Sequence, residues 1–296
     1  MTDKKLEFKI EKINLNIFND ETSDILVEGY GININSIKKE YLTENMCRVA
    51  VILNDNYFEN MPEKFKTESI CTIALIKDGY NLRFIPDYLK TFELCSLAVR
   101  QYGDSLEYVP DIHKTFELCS LAIQSNGLNL RYVPDKYKNF DLCYQAVLSH
   151  GRAIKFVPKN VTNTKIYKKA IEGDPLSIKF IDKKDLNHDL CLFAIQNLSY
   201  SLKYIPENLK TYEICTLALK NDIDVFKYIP DKIKNDELCL SAVLKHGSLL
   251  EFIPQNKKTK YLCLIAVLND SSAIDFVPDK YSCINLTEIS LYKKWN

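Results

Sequence analysis

"TFELCSLA" at 91–98 returns letter for letter at 115–122, 24 residues later. That interval organises the chain. Nine of the ten cysteines fall in one register of this period: Cys47, Cys71, Cys95, Cys119, Cys143, Cys191, Cys215, Cys239 and Cys263. Tyr167 fills the single gap. Three residues beyond each of these ten positions stands an alanine, from Ala50 to Ala266 without exception. Nine of the ten prolines share a second register, Pro62 to Pro158 and Pro206 to Pro278, with Asp182 in the gap. Self-similarity at such a period marks a stack of supersecondary units, each unable to bury its apolar face alone.

Read from proline to proline, the repeat is P-[DE]-x-x-K-[TN]-x-x-[LI]-C-x-x-A-[VIL]-x-x-x-G-x-x-L-x-[FY]-[IV]. Full repeats cover 38–277, and a weaker copy at 14–37 keeps Asn19, Gly31, Ile34 and Ile37 in register. The segment 278–296 keeps Pro278 and puts Ser290 at the alanine position, which reads as a C-terminal capping helix. Cys283, the one cysteine out of register, falls there. "LEFKIEKINLNIF" at 6–18 alternates apolar and polar residues for part of its length, and the N-terminal segment 1–13 reads equally as a strand-like lid or a mobile arm.

Each repeat predicts two elements. Four residues before the cysteine there is always Thr or Asn (Thr43, Thr67, Thr91, Thr115, Asn139, Asn163, Asn187, Thr211, Asn235, Thr259), side chains that cap helix N-termini. Acidic residues such as Glu117, Asp141 and Glu213 suit the first turn. The apolar residues that follow have helical spacing. Gly79, Gly103, Gly127, Gly151 and Gly247 stand eight beyond the cysteine, where a left-handed C-terminal residue is expected. A first helix of about eleven residues follows. The second element, as in "SLEYVP" at 105–110, reads as one or two helical turns, with a short strand as the competing reading because Leu106, Tyr108 and Val109 also suit alternation. The proline pushes the residue before it towards extended backbone. The expected fold is all-α: an α-solenoid of ten to eleven helix–turn–short-helix repeats, forming an arc or superhelix on the order of 100 Å long at about 8–10 Å per helix. The alanine column would let successive helices approach, so Ala146→Phe should overpack.

The pattern L-C-x-x-A-V-x-x-x-G-x-x-L-x-[FY]-[IV]-P resembles the short helical repeats of a family of domains of unknown function, common in giant DNA viruses of amoebae and in amoeba-associated bacteria. The resemblance covers about 14–290. It implies a helical-repeat fold and an intracellular setting, and it implies no reaction and no functional residues. The repeat at 158–181 departs most, with Tyr167 for Cys, Pro175 for Gly and Asp182 for the next Pro.

Composition narrows function. Lys+Arg and Asp+Glu both number 39, so the net charge is zero, unlike a general nucleic-acid binder. No apolar run reaches the ~18–20 residues of a membrane span. The N-terminal "MTDKKLEFKIEKI" is charged throughout and unlike a secretory signal, which places the chain in a reducing, cytoplasmic compartment and leaves the sequons at Asn160, Asn197, Asn269 and Asn285 unused. No closely spaced cysteine pair suggests zinc, and cysteines one repeat apart are too distant for a disulfide. His150 and His246 follow Cys143 and Cys239 by seven residues, about 10 Å along a helix and too far for a dyad. His113 and His188 share no register, and no phosphate loop or zinc-protease motif is present. The cysteines read as small buried hydrophobes. No catalytic residue, cofactor or metal is expected.

One column has a functional reading. The residue before the [FY] position is always charged: Glu59, Arg83, Glu107, Arg131, Lys155, Lys179, Lys203, Lys227, Glu251 and Asp275. Five successive repeats are basic, Arg131, Lys155, Lys179, Lys203 and Lys227, a ridge of about 40 Å at helix spacing. Beside an aromatic core column it should face water. The plainer reading is a solvated lysine face. The functional one is a dock for an acidic peptide, an acidic protein face or a nucleic-acid backbone. The expected function is a monomeric, non-catalytic scaffold holding a protein partner, by analogy with other helical solenoids. The alternative is RNA or single-strand binding along the ridge, although Thr72, Ser96, Tyr144, Leu192 and Leu240 do not resemble a base-reading code.

Overall fold

A computed structural model describes residues 42–54 and 56–281. The arm at 1–13, the weaker repeat at 14–37, Cys283 and the capping helix from 282 onward lie outside the described residues. The chain forms two compact bodies, Met1–Ala146 and Val147–Asn296. Each is all-α among its described residues and carries the expected repeat as a stack of helices.

The long helix of every described repeat has ten residues, as in Phe92–Gln101 and Phe116–Ser125. Its start follows from the Thr/Asn column. The Thr91 hydroxyl accepts from the Leu94 N–H at 3.3 Å, and the Asn187 side-chain oxygen accepts from the Leu190 N–H at 2.9 Å. Thr67 alone makes no such cap bond; its hydroxyl donates to Glu44 Oε1 of the preceding repeat at 3.3 Å. The Cys and Ala columns face inward, and none of the nine cysteines or ten alanines is more than 1 % exposed.

The second element is a four-residue α-helix in the first described repeat, Tyr57–Asn60, and a six-residue 3-10 helix in the later ones, as in Gly79–Phe84 and Gly151–Phe156; no strand occurs among the described residues. The helical alternative is the one formed, in its tighter variety. In Asp78, Asn126, Asp174, Asp222 and Asp270 a side-chain oxygen caps it by accepting from the N–H two residues on. Several repeats add a three-residue 3-10 turn after the proline, as in Asp87–Leu89. Within the N-terminal body, Gly103–Tyr108 packs between Phe92–Gln101 and Phe116–Ser125. Within the C-terminal body, Gly247–Phe252 packs likewise between Asp236–Lys245 and Lys260–Asn269.

The glycines serve a different purpose from the one expected. The long helix ends on an extended residue (Tyr102: φ −142°, ψ 100°), and none of Gly79, Gly103, Gly151 and Gly247 has a positive φ. Their cause is close approach. A Cβ on Gly79 would lie 2.5 Å from the Ala98 carbonyl oxygen, and one on Gly103 would lie 2.6 Å from Ser125 Cβ. On Gly151 and Gly247 it would press on the carbonyl oxygens of Ala170 and Ala266. Glycine in one repeat and alanine in the next are thus two sides of a single contact. Where the glycine is replaced the apposition loosens: in the C-terminal body it is tightest at Gly151 and Gly247, weaker at Ser199 and Pro175, and least at Ile223.

Candidate binding ridge

The 3-10 helix decides which side chains reach solvent. Its period of three aligns side chains at i and i+3, so one face of each short helix is buried and the opposite face carries the charged column. All ten members, Glu59 to Asp275, are exposed. In the N-terminal body the described signs alternate: Glu59, Arg83, Glu107, Arg131. In the C-terminal body they segregate: Lys155, Lys179, Lys203 and Lys227, then Glu251 and Asp275. Arg131 is exposed in the N-terminal body, with its guanidinium 4.4 Å from the Tyr132 ring centre.

The neighbouring aromatic column is not core. Phe84, Tyr108, Tyr132, Phe156, Phe180, Tyr204, Tyr228, Phe252 and Phe276 are all half-buried, and where the charged column is basic its cation lies over the ring that follows it. In the C-terminal body Phe180 is approached by two ammonium groups, Lys155 at 5.9 Å and Lys179 at 4.8 Å from its centre. Lys203 lies 5.5 Å from the Tyr200 ring and 5.6 Å from Tyr204, while Lys227 lies 5.3 Å from Tyr228. Tyr200 and Tyr228 meet edge to face at 5.6 Å, and the Tyr228 hydroxyl donates to the Tyr200 oxygen at 3.4 Å. That bond, together with the one Lys203 Nζ donates at 3.3 Å, holds the Tyr200 phenol below its ordinary pKa. The ridge is therefore a ladder of cations on aromatic rungs, an arrangement that positions each ammonium and leaves its outer side open.

None of these four lysines pairs with a carboxylate among the described residues, whereas some other cations of the same body do. Lys159 meets Asp182 at 3.0 Å, Lys257 meets Asp236 at 2.8 Å, and Arg152 meets Asp174.

A second lysine column was not distinguished in the sequence, though it is written in the repeat. Five residues before the cysteine, Lys66, Lys90, Lys210, Lys234 and Lys258 are buried, and Lys114 and Lys138 nearly so. Four of these ammonium groups donate to the main-chain carbonyl of the aromatic column in the same repeat: Lys66 to Phe84 at 2.7 Å, Lys210 to Tyr228 at 2.7 Å, Lys234 to Phe252 at 2.6 Å and Lys258 to Phe276 at 2.9 Å. Lys90, Lys114, Lys138 and Lys234 also pair with the aspartate three residues earlier, at 2.8–2.9 Å. This clasp ties the turn before the long helix to the end of the short one. Its sequence signal is the fixed [DE]-x-x-K spacing after proline.

The thiols are placed for packing. The nine cysteines of the described residues are free and buried. Burial pushes Cys71, Cys95, Cys119, Cys143 and Cys215 up to about 11, outweighing the clasp lysine of the same repeat, which pulls the other way. A thiol so poised is a poor nucleophile and metal ligand at neutral pH. Among the described residues no group of three or more His, Cys, Asp or Glu is placed to hold a metal ion. No described helix is long and apolar enough to cross a membrane.

A family of repeats described as a domain of unknown function, DUF4116, matches residues 67–114, 115–162, 187–234 and 211–257. The matches start on the helix caps Thr67, Thr115, Asn187 and Thr211, and each spans about two repeats, 48 residues. No curated protein and no solved structure matches the chain.

Proposed function

The matched residues make up more than half of the chain, which therefore belongs to the DUF4116 family; from that premise we propose that it is a non-catalytic repeat scaffold that holds a protein partner inside the cell. The observation that carries this reading is how the repeat divides its chemistry. The thiols, the alanines, the clasp lysines and the cap residues all hold the stack together, while the one invariantly charged column is turned to solvent. The strictest columns of the repeat thus have structural roles, and a surface of regularly placed charges is offered outward. On this reading the chain works as a monomer, without cofactor, in a reducing cytoplasm, which for a viral protein is that of the host cell. Free cysteines suit that compartment.

The test is affinity purification of the full chain from its native cell, followed by mass spectrometry. Discrete protein partners, recovered in stable proportion, support the scaffold. Their absence, or turnover of a small molecule by the purified chain, overturns it. The exposed cations favour one second reading, nucleic-acid or acidic-ligand binding along the ridge. Strongly salt-sensitive binding to RNA oligonucleotides would establish it.

A further inference from the structure

We propose that Lys155, Lys179, Lys203 and Lys227 form a docking site for an extended acidic segment of a partner protein, one whose carboxylates recur at every third residue. The inference rests on the scaffold reading above and names the partner's chemistry.

Charge complementarity is the first argument. These four ammonium groups are exposed, stand in consecutive repeats at one position of the repeat, and have no carboxylate partners among the described residues. Spacing is the second. Packed helices lie about 8–10 Å apart, so the repeat pitch is of that order. Lys155 and Lys179, with ammonium groups 5.9 and 4.8 Å from the one Phe180 ring centre, are close enough to each other for such a pitch. A polyproline II chain advances about 3.1 Å per residue with three residues per turn, so every third side chain returns to the same face after about 9 Å. Carboxylates at i, i+3, i+6 and i+9 therefore recur at the pitch of successive lysines. The rungs are the third argument. Half-buried Phe156, Phe180, Tyr204 and Tyr228 supply apolar surface beside the cations, against which the aliphatic parts of an extended segment can pack without needing an open ring face.

The same rungs disfavour a single-stranded nucleic acid. Such a ligand needs open ring faces for its bases, and here the ammonium groups lie over them at 4.8–5.9 Å.

The experiment uses the full chain and a labelled peptide of repeating Glu-Pro-Ser triplets, with fluorescence anisotropy as the readout. A peptide of identical composition with its glutamates gathered at one end is the spacing control, and oligouridylate is the nucleic-acid control. Two quadruple variants are compared. One reverses the ridge (Lys155→Glu, Lys179→Glu, Lys203→Glu, Lys227→Glu). The other reverses exposed lysines elsewhere in the same body (Lys168→Glu, Lys220→Glu, Lys232→Glu, Lys245→Glu) and changes the net charge equally. Circular dichroism establishes that both keep the wild-type helix signal. The expected result is that the phased peptide binds more tightly than the gathered one, and that the ridge variant weakens it on the order of tenfold or more while the off-ridge variant changes it little. Equal binding of the two peptides, equal loss in the two variants, no peptide binding, or tighter binding of oligouridylate each overturns the proposal. Partner recovery from cells separates this from the broader reading. If the ridge variant still recovers the wild-type partners, the ridge is wrong and the scaffold stands. If neither form recovers any, the scaffold falls with it.

Discussion

Lys234 shows how a repeat chain uses a charge inside its core. It is 5 % exposed, and its ammonium donates to Phe252 O at 2.6 Å and Asp231 Oδ1 at 2.9 Å, replacing the water it has lost. Lys210 makes the equivalent bond to Tyr228 O, so Lys210→Met removes the charged donor and strands the carbonyl. It should cost about 1–3 kcal/mol in urea unfolding; unchanged stability would mean that the clasp contributes nothing. The thiols give the opposite kind of signature. Burial raises Cys71, Cys95 and Cys119 from 9.0 to about 11, so between those pH values the unfolded chain has lost protons that the folded chain keeps. Their contribution is complete below pH 9 and disappears as pH rises through 11. Each thiol steepens the loss by about 1.4 kcal/mol per pH unit at full proton difference. Lys66, Lys210 and Lys258 work against this, because burial lowers their pKa and the folded state gains on the unfolded one as pH climbs towards 10.5. Nine thiols outnumber three lysines, so stability should fall steeply from pH 9 upward, and less steeply in Cys119→Ala. A flat profile in urea melts across this range would contradict the assignment.

At the scale of the element, the contact between one short helix and the next long helix sets what each position tolerates. Gly103→Ala puts a Cβ 2.6 Å from Ser125 Cβ and 3.0 Å from the Ala122 carbonyl oxygen, so it should cost about 1–3 kcal/mol by overpacking. At Ile223 the same contact is already loose, and Ile223→Ala should cost less than half as much in parallel melts. The repeat at 158–181 offers a coupled pair. It lacks both the cysteine and the clasp lysine; Tyr167 and Thr162 stand there instead, and the Tyr167 hydroxyl donates to Asp185 Oδ2 at 2.8 Å. Tyr167→Cys alone should open a cavity and cost about 2–4 kcal/mol. Adding Thr162→Lys should return about 0.5–3 kcal/mol of this as coupling energy. Strict additivity of the two substitutions would show that the repeat is not a concerted replacement. These cases also show what the sequence conveyed. The caps and the Cys and Ala columns were legible because a capping side chain acts within its own first turn and burial follows the helical period. The purpose of the glycines was not, because a positive φ and a close approach both select glycine, and the atom approached, such as the Ala98 oxygen facing Gly79, lies most of a repeat away. The half-burial of the aromatics was hidden for a related reason: a 3-10 helix of six residues carries too little pattern to separate an inner from an edge position.

At the scale of the whole molecule, the governing fact is that within each body contacts run from one repeat to the next. Within each body the long helices touch their sequence neighbours, as Thr164–Gly173 touches His188–Asn197 and His188–Asn197 touches Tyr212–Asn221. Stability in such an array is a sum of repeat terms and nearest-neighbour terms, so damage should spread through neighbours and fade with distance along the chain. The ridge carries this to function, because its lysines keep a common pitch only while successive repeats stay in contact. Ala218→Phe tests the point. Ala218 is fully buried at the centre of Tyr212–Asn221, and a phenyl ring there overpacks the contact with the flanking helices. Native-state hydrogen exchange read by mass spectrometry should then show peptides from 188–245 losing protection first and most. Peptides from 67–114, in the other body, should keep nearly wild-type protection. Binding of the phased acidic peptide should weaken in step, since Lys203 and Lys227 flank the altered helix, although no charge has been changed. Uniform loss of protection across both bodies would instead mean that the chain unfolds as one cooperative unit, and the nearest-neighbour account would have to be abandoned.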